Sequence, residues 1–360
     1  MEIALWGYYG SNYGDDIMLE VLLDYFEDNN VKVLLIQQYN EHLEYKLDKK
    51  YKNVSVIPFQ NFSRKEKLVT ILKLSKVQIN LWGGGTIFTD QEGDGNYKFF
   101  RLIKLFGGKI GYIGVGIGKL SKQNRIKKTK KLLKWSSLTI FRDEISYKKA
   151  KKLVENKNYL IAEDLSYIYF QRYKRNKENI NGNYLLLSWR NLSGYLPLQH
   201  ELQLMKDTID VIINIMDRRK ITRVKLIALD TKRDIESCRL LTKLFKKVNI
   251  DVEFDIDSSV SNITNLIINS SIHFSGRLHG SIASEYFDVS TISLAYSPKI
   301  KYFYNSIDSI NYIDIYNDKL NLGIVEKRLH DNSNFINIDQ KYNEAKLTYD
   351  YLEAILKLGK

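Results

Sequence analysis

Six short runs in the first half of the chain are largely apolar: Ile3–Trp6, Val31–Ile36, Val54–Ile57, Val77–Trp82, Ile110–Val115 and Leu138–Phe141. Amphipathic stretches separate them, the first running from about Asp15 to Glu27 with Met18, Val21, Leu22, Tyr25 and Phe26 on one face. A strand wetted on one side alternates apolar and polar residues, whereas a strand covered on both sides reads as a continuous apolar run. Such runs spaced by helices therefore predict a parallel sheet buried between two helix layers. The pattern recurs after residue 183, with strands expected at Tyr184–Trp189, Val224–Leu229, Ile272–Ser275 and Thr291–Leu294, and a helix at Leu202–Met216. Between the two series lies a polar, basic stretch from Tyr173 to Asn183, the expected linker.

At 360 residues the chain exceeds what one hydrophobic core ordinarily supports. The expected fold class is α/β, with two doubly wound Rossmann-like domains facing a cleft. Residues 1–175 form the first and 182–325 the second. Residues 335–360 add a C-terminal helix, about Gln340 to Leu358, packing back on the first domain.

Composition removes several function classes. A lone cysteine, Cys238, excludes an intrachain disulfide framework and a cysteine metal site, and its helix-like surroundings suit a buried structural thiol. No run near twenty apolar residues suggests a membrane span, and the N-terminus lacks the order of a secretory signal, so a cytoplasmic location is expected. The formal charge of +13 suits an anionic substrate or peripheral association with the inner membrane face. No nucleic-acid module signature is present, and nucleic acid is not expected as a partner. The basic residues are scattered; the densest run, Arg125 to Lys134, has the spacing of a solvated helix face.

Three glycine-rich segments follow strands. In Gly7–Gly14 a helix opens on Asp15 and Asp16, acids that would repel a phosphate at the helix start. A polyhydroxyl ligand bound by Asn12 and Asp15 suits this loop better, while Asp15 acting only as a helix cap remains the other reading. Gly83–Gly84–Gly85–Thr86 allows close backbone approach to a ligand. Gly114–Gly118 lacks the final spacing and the later acid of a dinucleotide fingerprint. In the second half, Arg190 ends a strand, and Arg277, His279, Tyr296, Lys299 and Lys301 gather around two later strand ends. Arg277 offers a planar fork for a carboxylate or phosphate, Lys299 a point charge, and His279 an imidazole suited to proton transfer near neutrality. No metal-site spacing or Gly-x-Ser-x-Gly elbow occurs, and Asp255 and Asp257 read as helix caps.

The segments GYYGSNYGDDIML, LWGGGTIFTD, GYIGVGIGKL, FRDEISYKKA, LSWR, SGRLHGSIASEYF and LAYSPKIKYF resemble, in order, segments of the polysaccharide pyruvyl transferase family, from Ile3 to about Phe303. The resemblance implies a GT-B-like fold and a metal-independent reaction without a cofactor. In that reaction phosphoenolpyruvate gives its pyruvyl unit to two hydroxyls of a nucleotide- or lipid-linked sugar in exopolysaccharide or capsule synthesis. By motif, His279 matches the family's acid/base residue, with Asp15 as a second base. Arg277, Lys299, Arg190, Arg142 and Gly280 are expected on the donor, and Asn12, Gly84, Gly85 and Asp16 on the acceptor. Arg142 could instead pair with Asp143 or Asp164. The chain departs from the family's usual Gly-Val-Pro at Asp288-Val289-Ser290. A nucleotide-sugar glycosyltransferase on the same architecture, or a non-catalytic partner in glycan assembly, are the alternatives.

Overall fold

The computed structural model describes residues 1–39, 50–155, 159–173, 183–330 and 337–358; the expected linker, its ends apart, lies outside the described residues. The chain divides into two compact units. The first comprises Met1–Gly10, Asp15–Gln171 and Ile338–Lys360, and the second Ser11–Gly14 and Arg172–Asn337.

The first unit is built on a parallel sheet of β1 (Glu2–Trp6), β2 (Lys32–Ile36), β3 (Val54–Ile57), β4 (Asn80–Gly83), β5 (Thr86–Phe88), β6 (Ile110–Ile117), β7 (Leu138–Phe141) and β8 (Tyr159–Ile161). Its order is β3-β2-β1-β4-β6-β7-β8, with β5 paired to β6. The helices are α1 (Tyr13–Asp28), α2 (Arg64–Leu74), α3 (Tyr97–Leu105), α4 (Gln123–Trp135), α5 (Glu144–Leu153) and the short α6 (Ser166–Phe170). Tyr349 of the C-terminal helix Ile338–Leu358 stacks on Tyr25 of α1 at 4.6 Å, and Lys341 pairs with Glu163. The core centres on Trp6, whose ring meets Phe59 at 5.5 Å and Phe100 at 5.8 Å edge-on while its Nε1 donates to Asn80 at 3.1 Å.

The expected loop Gly114–Gly118 is largely strand, because β6 runs to Ile117 and β5 pairs along it at Thr86↔Gly116 and Phe88↔Ile117. Register shifts between Tyr112 and Val115, where Gly114 takes φ +62°, so that glycine serves a bulge.

The second unit holds β9 (Tyr184–Ser188), β10 (Arg223–Ile227), β11 (Val252–Asp255), β12 (Ile272–Ser275), β13 (Ser290–Ala295) and β14 (Tyr312–Asp314), all parallel, in the order β11-β10-β9-β12-β13-β14. Helices α7 (Leu198–Arg219), α8 (Ile235–Lys247), α9 (Val260–Asn269), α10 (Leu278–Tyr286), α11 (Pro298–Ser306) and α12 (Leu322–His330) flank it. Asp255 ends β11 and is no helix cap; Ser259 caps α9, its Oγ accepting from the Asn262 N–H. Cys238 of α8 is buried with its Sγ toward the Ile227 carbonyl, and burial pushes the thiol up to about 12, so it is no nucleophile near neutrality.

The core of this unit is unusually polar around α10. His273 lies between the hydroxyls of Ser188 (2.9 Å) and Ser284 (2.7 Å), and burial lowers it to about 3, which keeps it neutral. Burial lifts the half-buried Glu285 to about 7; hydrogen bonds with Tyr304 and Asn311 pull it back, and Asp288 adds to the rise. Its Oε1 is buried with no hydrogen-bond partner among the described residues. An ordinary glutamate titrates near 4.5, so the folded state holds this proton more tightly. That contribution is fully present below about 4.5 and disappears as pH rises through about 7. Glu285→Gln should therefore unfold at higher urea than the parent at about pH 8, with the advantage shrinking towards about pH 5. His273 slopes the other way, its stability lost as pH falls from about 6.5 towards 3, so the difference between the two proteins is the quantity to follow.

Candidate active site

In each sheet the strand order reverses once, between β1 and β4 in the first and between β9 and β12 in the second. Open α/β sheets bind ligands beyond the carboxyl ends of strands at such reversals, because the loops there diverge to opposite faces. In the second unit those ends carry Trp189–Arg190 after β9 and Gly276–His279 after β12. The two loops touch. Gly276 N–H donates to the Ser188 carbonyl at 2.6 Å, and a Cβ at Gly276 would lie 2.5 Å from that oxygen and 2.7 Å from the Arg190 nitrogen. Only glycine fits there.

Arg190 is buried and caged by two tyrosines. Its Nη1 donates to the Tyr296 hydroxyl at 3.0 Å and its Nη2 to Tyr195 at 3.2 Å, with the guanidinium 4.3 Å from the Tyr296 ring centre. Lys299, in the first turn of α11, sets its Nζ 5.5 Å from the same ring. Two cations thus flank Tyr296 at the end of β13.

His279 is half-buried in the first turn of α10, its imidazole against Gly14, where any Cβ would overlap the ring. Gly14 belongs to the stretch Ser11–Gly14, which pairs with the segment just after β10 through Tyr13 N–H to Leu229 O (2.9 Å) and Thr231 N–H to Ser11 O (2.8 Å). Asn12 accepts from the Gly14 N–H at 3.1 Å and so caps the start of α1. Gly280 is glycine for packing: a Cβ there would lie 2.7 Å from the Ser275 Oγ and 2.8 Å from Leu229.

Arg277 is committed elsewhere. Its Nε and Nη2 grip Asp234 at 2.5 and 2.8 Å, and Nη2 lies 3.1 Å from Asp230. All three side chains are buried. Burial works against the Arg277 charge, but Asp234 and then Asp230 hold its pKa above the ordinary arginine value. Burial raises Asp230, an effect Arg277 opposes and Asp234 reinforces. Lys301 is likewise engaged, with Asp314 at the end of β14.

In the first unit, Gly84 and Gly85 follow β4 with φ of +76° and +83°. A Cβ on Gly85 would lie 3.0 Å from Asp15 Oδ1, so that carboxylate sits over the loop backbone. Asp16 accepts from the Gly10 N–H. The glycines at 7 and 83 make room for Tyr9, whose hydroxyl donates to the Gly83 carbonyl at 2.9 Å. Arg142 is buried, donating to Asp164 at 3.0 Å and to Thr86 at 2.7 Å, while Asp143 caps α5. Among the described residues, no group of three or more His, Cys, Asp or Glu side chains could hold a metal ion.

The sequence alone assigns Tyr195, Asp230 and Asp234 no role and gives Gly14 only a place in a glycine-rich loop. Gly14 meets His279, and Asp230 and Asp234 meet Arg277, only through the fold, whereas Tyr195 meets Arg190 within one loop.

Two Rossmann-like units, with cationic and carboxylate side chains at the carboxyl ends of their strands, define an α/β fold of the GT-B-like class. The profile of the polysaccharide pyruvyl transferase family matches residues 12–298, and the chain belongs to that family. Its fold is similar to UDP-N-acetylglucosamine 2-epimerase from Rickettsia bellii (TM-score 0.68, 11% identity, 99% of this chain and 96% of that one). It is also similar to the Methanocaldococcus jannaschii UDP-GlcNAc 2-epimerase solved with UDP-GlcNAc and UDP (TM-score 0.67, 12% identity, covering 99% and 100%). Anabaena HepE in complex with UDP-glucose is a third (TM-score 0.63, 10% identity, covering 99% of each). At these identities the likeness speaks for fold alone. No curated protein matches the chain.

Proposed function

We propose that this enzyme transfers the pyruvyl unit of phosphoenolpyruvate to two hydroxyls of a sugar in a cell-surface polysaccharide precursor, giving a cyclic ketal and phosphate. The observation that carries the reading is the grouping of Arg190, Lys299 and His279 beyond β9, β13 and β12 in a chain of this family. Phosphoenolpyruvate bears a carboxylate and a phosphate, and two fixed cations beside the amino ends of α10 and α11 suit such a polyanion.

The chemistry needs a proton on the methylene carbon, attack by one sugar hydroxyl on the neighbouring carbon, and departure of phosphate with its bonding electrons. The second hydroxyl then closes the ketal. One hydroxyl proton balances the new methyl group and the other leaves with phosphate. His279 is the acid that protonates the methylene carbon. Arg277, held by Asp234 and Asp230, orders the loop that presents His279 and is a positioning residue. Asp15, over the Gly84–Gly85 backbone, is assigned to an acceptor hydroxyl, and Gly84 and Gly85 to the sugar.

Phosphoenolpyruvate should raise the unfolding temperature of the protein, and phosphate should be released when a competent nucleotide- or lipid-linked sugar is added. Stabilisation by a nucleotide sugar, with none by phosphoenolpyruvate, would instead make the chain a nucleotide-sugar glycosyltransferase. No stabilisation and no turnover across the sugar panel would leave a non-catalytic partner in glycan assembly.

A further inference from the structure

Right-handed crossovers place α2, α3, α4 and α5 on one face of the first sheet, since β3, β4, β6, β7 and β8 advance in one direction along it. The four helices pack side by side in sequence order. They carry seventeen basic residues and two acidic ones, a net +15, whereas the whole chain nets +13. Everything else in the protein therefore sums to −2. The chain's net excess of positive charge is thus gathered by the fold into one layer. Within α4, Lys127, Lys130, Lys131 and Lys134 recur at helical spacing and all are exposed.

The same layer exposes apolar side chains that a soluble surface would bury. Leu68, Val69 and Leu72 lie uncovered on α2, and Leu105 (73% exposed) and Phe106 (39%) end α3. Leu72, Leu105 and Phe106 share a corner, with Leu68 and Val69 further along α2: the close of α3 at Gly108 stands against Ser75 at the close of α2, where a Cβ would be 2.9 Å from the Ser75 Cα. Helices in βαβ units end near the amino edge of the sheet, so this corner lies at the opposite edge from Gly84, Gly85 and Asp15.

We infer that this layer docks the protein on an anionic lipid bilayer, with Leu105, Phe106, Leu68 and Leu72 entering the headgroup boundary and the lysines of α4 on the surface charge. Basic residues draw a protein to an acidic leaflet, and a few apolar side chains beside them hold it there. Self-association through this face would oppose two layers of +15, and a nucleic acid would leave the apolar corner uncovered. No described helix is long and apolar enough to cross a membrane, so the association is peripheral. This inference is independent of the donor assignment.

The test is sedimentation of the full chain with phosphatidylglycerol-containing vesicles and with pure phosphatidylcholine vesicles. Binding is expected to the first only and to weaken at high salt. Leu105→Ser/Phe106→Ser, and separately Lys127→Glu/Lys130→Glu/Lys131→Glu/Lys134→Glu, should each lower the partition coefficient by about tenfold or more. Both sets lie on the surface, and unchanged circular dichroism and unfolding midpoints would certify folding. Equal binding to neutral vesicles, indifference to both variants, a dimer that forms through this face, or a gel shift with DNA in place of vesicle binding would each overturn the inference.

Discussion

His279→Ala should release phosphate from phosphoenolpyruvate about 10²- to 10⁴-fold more slowly than the parent, the span general acid catalysis ordinarily covers. Its thermal stabilisation by phosphoenolpyruvate should stay within a small factor of the parent, because the donor's charges are assigned to Arg190 and Lys299, which do not depend on the imidazole. The ring is half-buried and its loss opens space beside Gly14 rather than inside the core, so folding should be nearly unaffected. Gly14→Ala is the companion variant. Its Cβ would displace the imidazole while leaving its chemistry intact, and a comparable fall in phosphate release would tie turnover to where the ring sits. Normal phosphate release by His279→Ala would remove the residue from the mechanism.

Fold class was legible because buried parallel strands are chemically monotonous: the runs read as strands fall on β1, β2, β3, β4, β6, β7, β9, β10, β12 and β13. The strands that escaped, β5, β8, β11 and β14, are three or four residues long, and β8, β11 and β14 stand at sheet edges where no apolar run is demanded. Gly114–Gly118 misled because a glycine needed by a strand bulge looks, in sequence, like a glycine needed by a turn.

The site was legible in residue type and not in pairing. Arg277 and His279 stand out as polar groups between an apolar strand and a helix, yet nothing local says that one guanidinium already has two carboxylates. Asp230 and Asp234 are more than forty residues earlier, and the β10-β9-β12 neighbourhood brings them in. Arg142 and Asp164 are a similar case: an arginine beside a strand end can serve a ligand or a loop, and the bond to Thr86 decides for the Gly83–Thr86 loop. The charged layer was invisible for a different reason. Lysines spread over ninety residues become neighbours only when four crossovers turn the same way.

Arg277→Met should destabilise the protein by about 3–5 kcal/mol, the usual cost of leaving a buried charge without its partner. Methionine fills much of the volume, so the loss reports charge more than a cavity. Asp230 and Asp234 are both fully buried, and with the guanidinium gone each can stay buried only by taking up a proton. Asp230, which burial already raises and Arg277 pulls back, then rises further above its unfolded value. The stability of the variant should consequently be best at acidic pH and fall as pH increases, so that its deficit against the parent is larger at about pH 8 than at about pH 5 in urea titrations. Removing a carboxylate with the arginine, as in Arg277→Met/Asp234→Leu, should restore part of the lost stability, since fewer unpaired charges remain. A ligand-holding Arg277 would behave differently: Arg277→Met would keep the parent's urea midpoint and pH profile and lose only its stabilisation by phosphoenolpyruvate. The bidentate grip of Asp234, closed before any substrate arrives, is why the stability loss is the expected result.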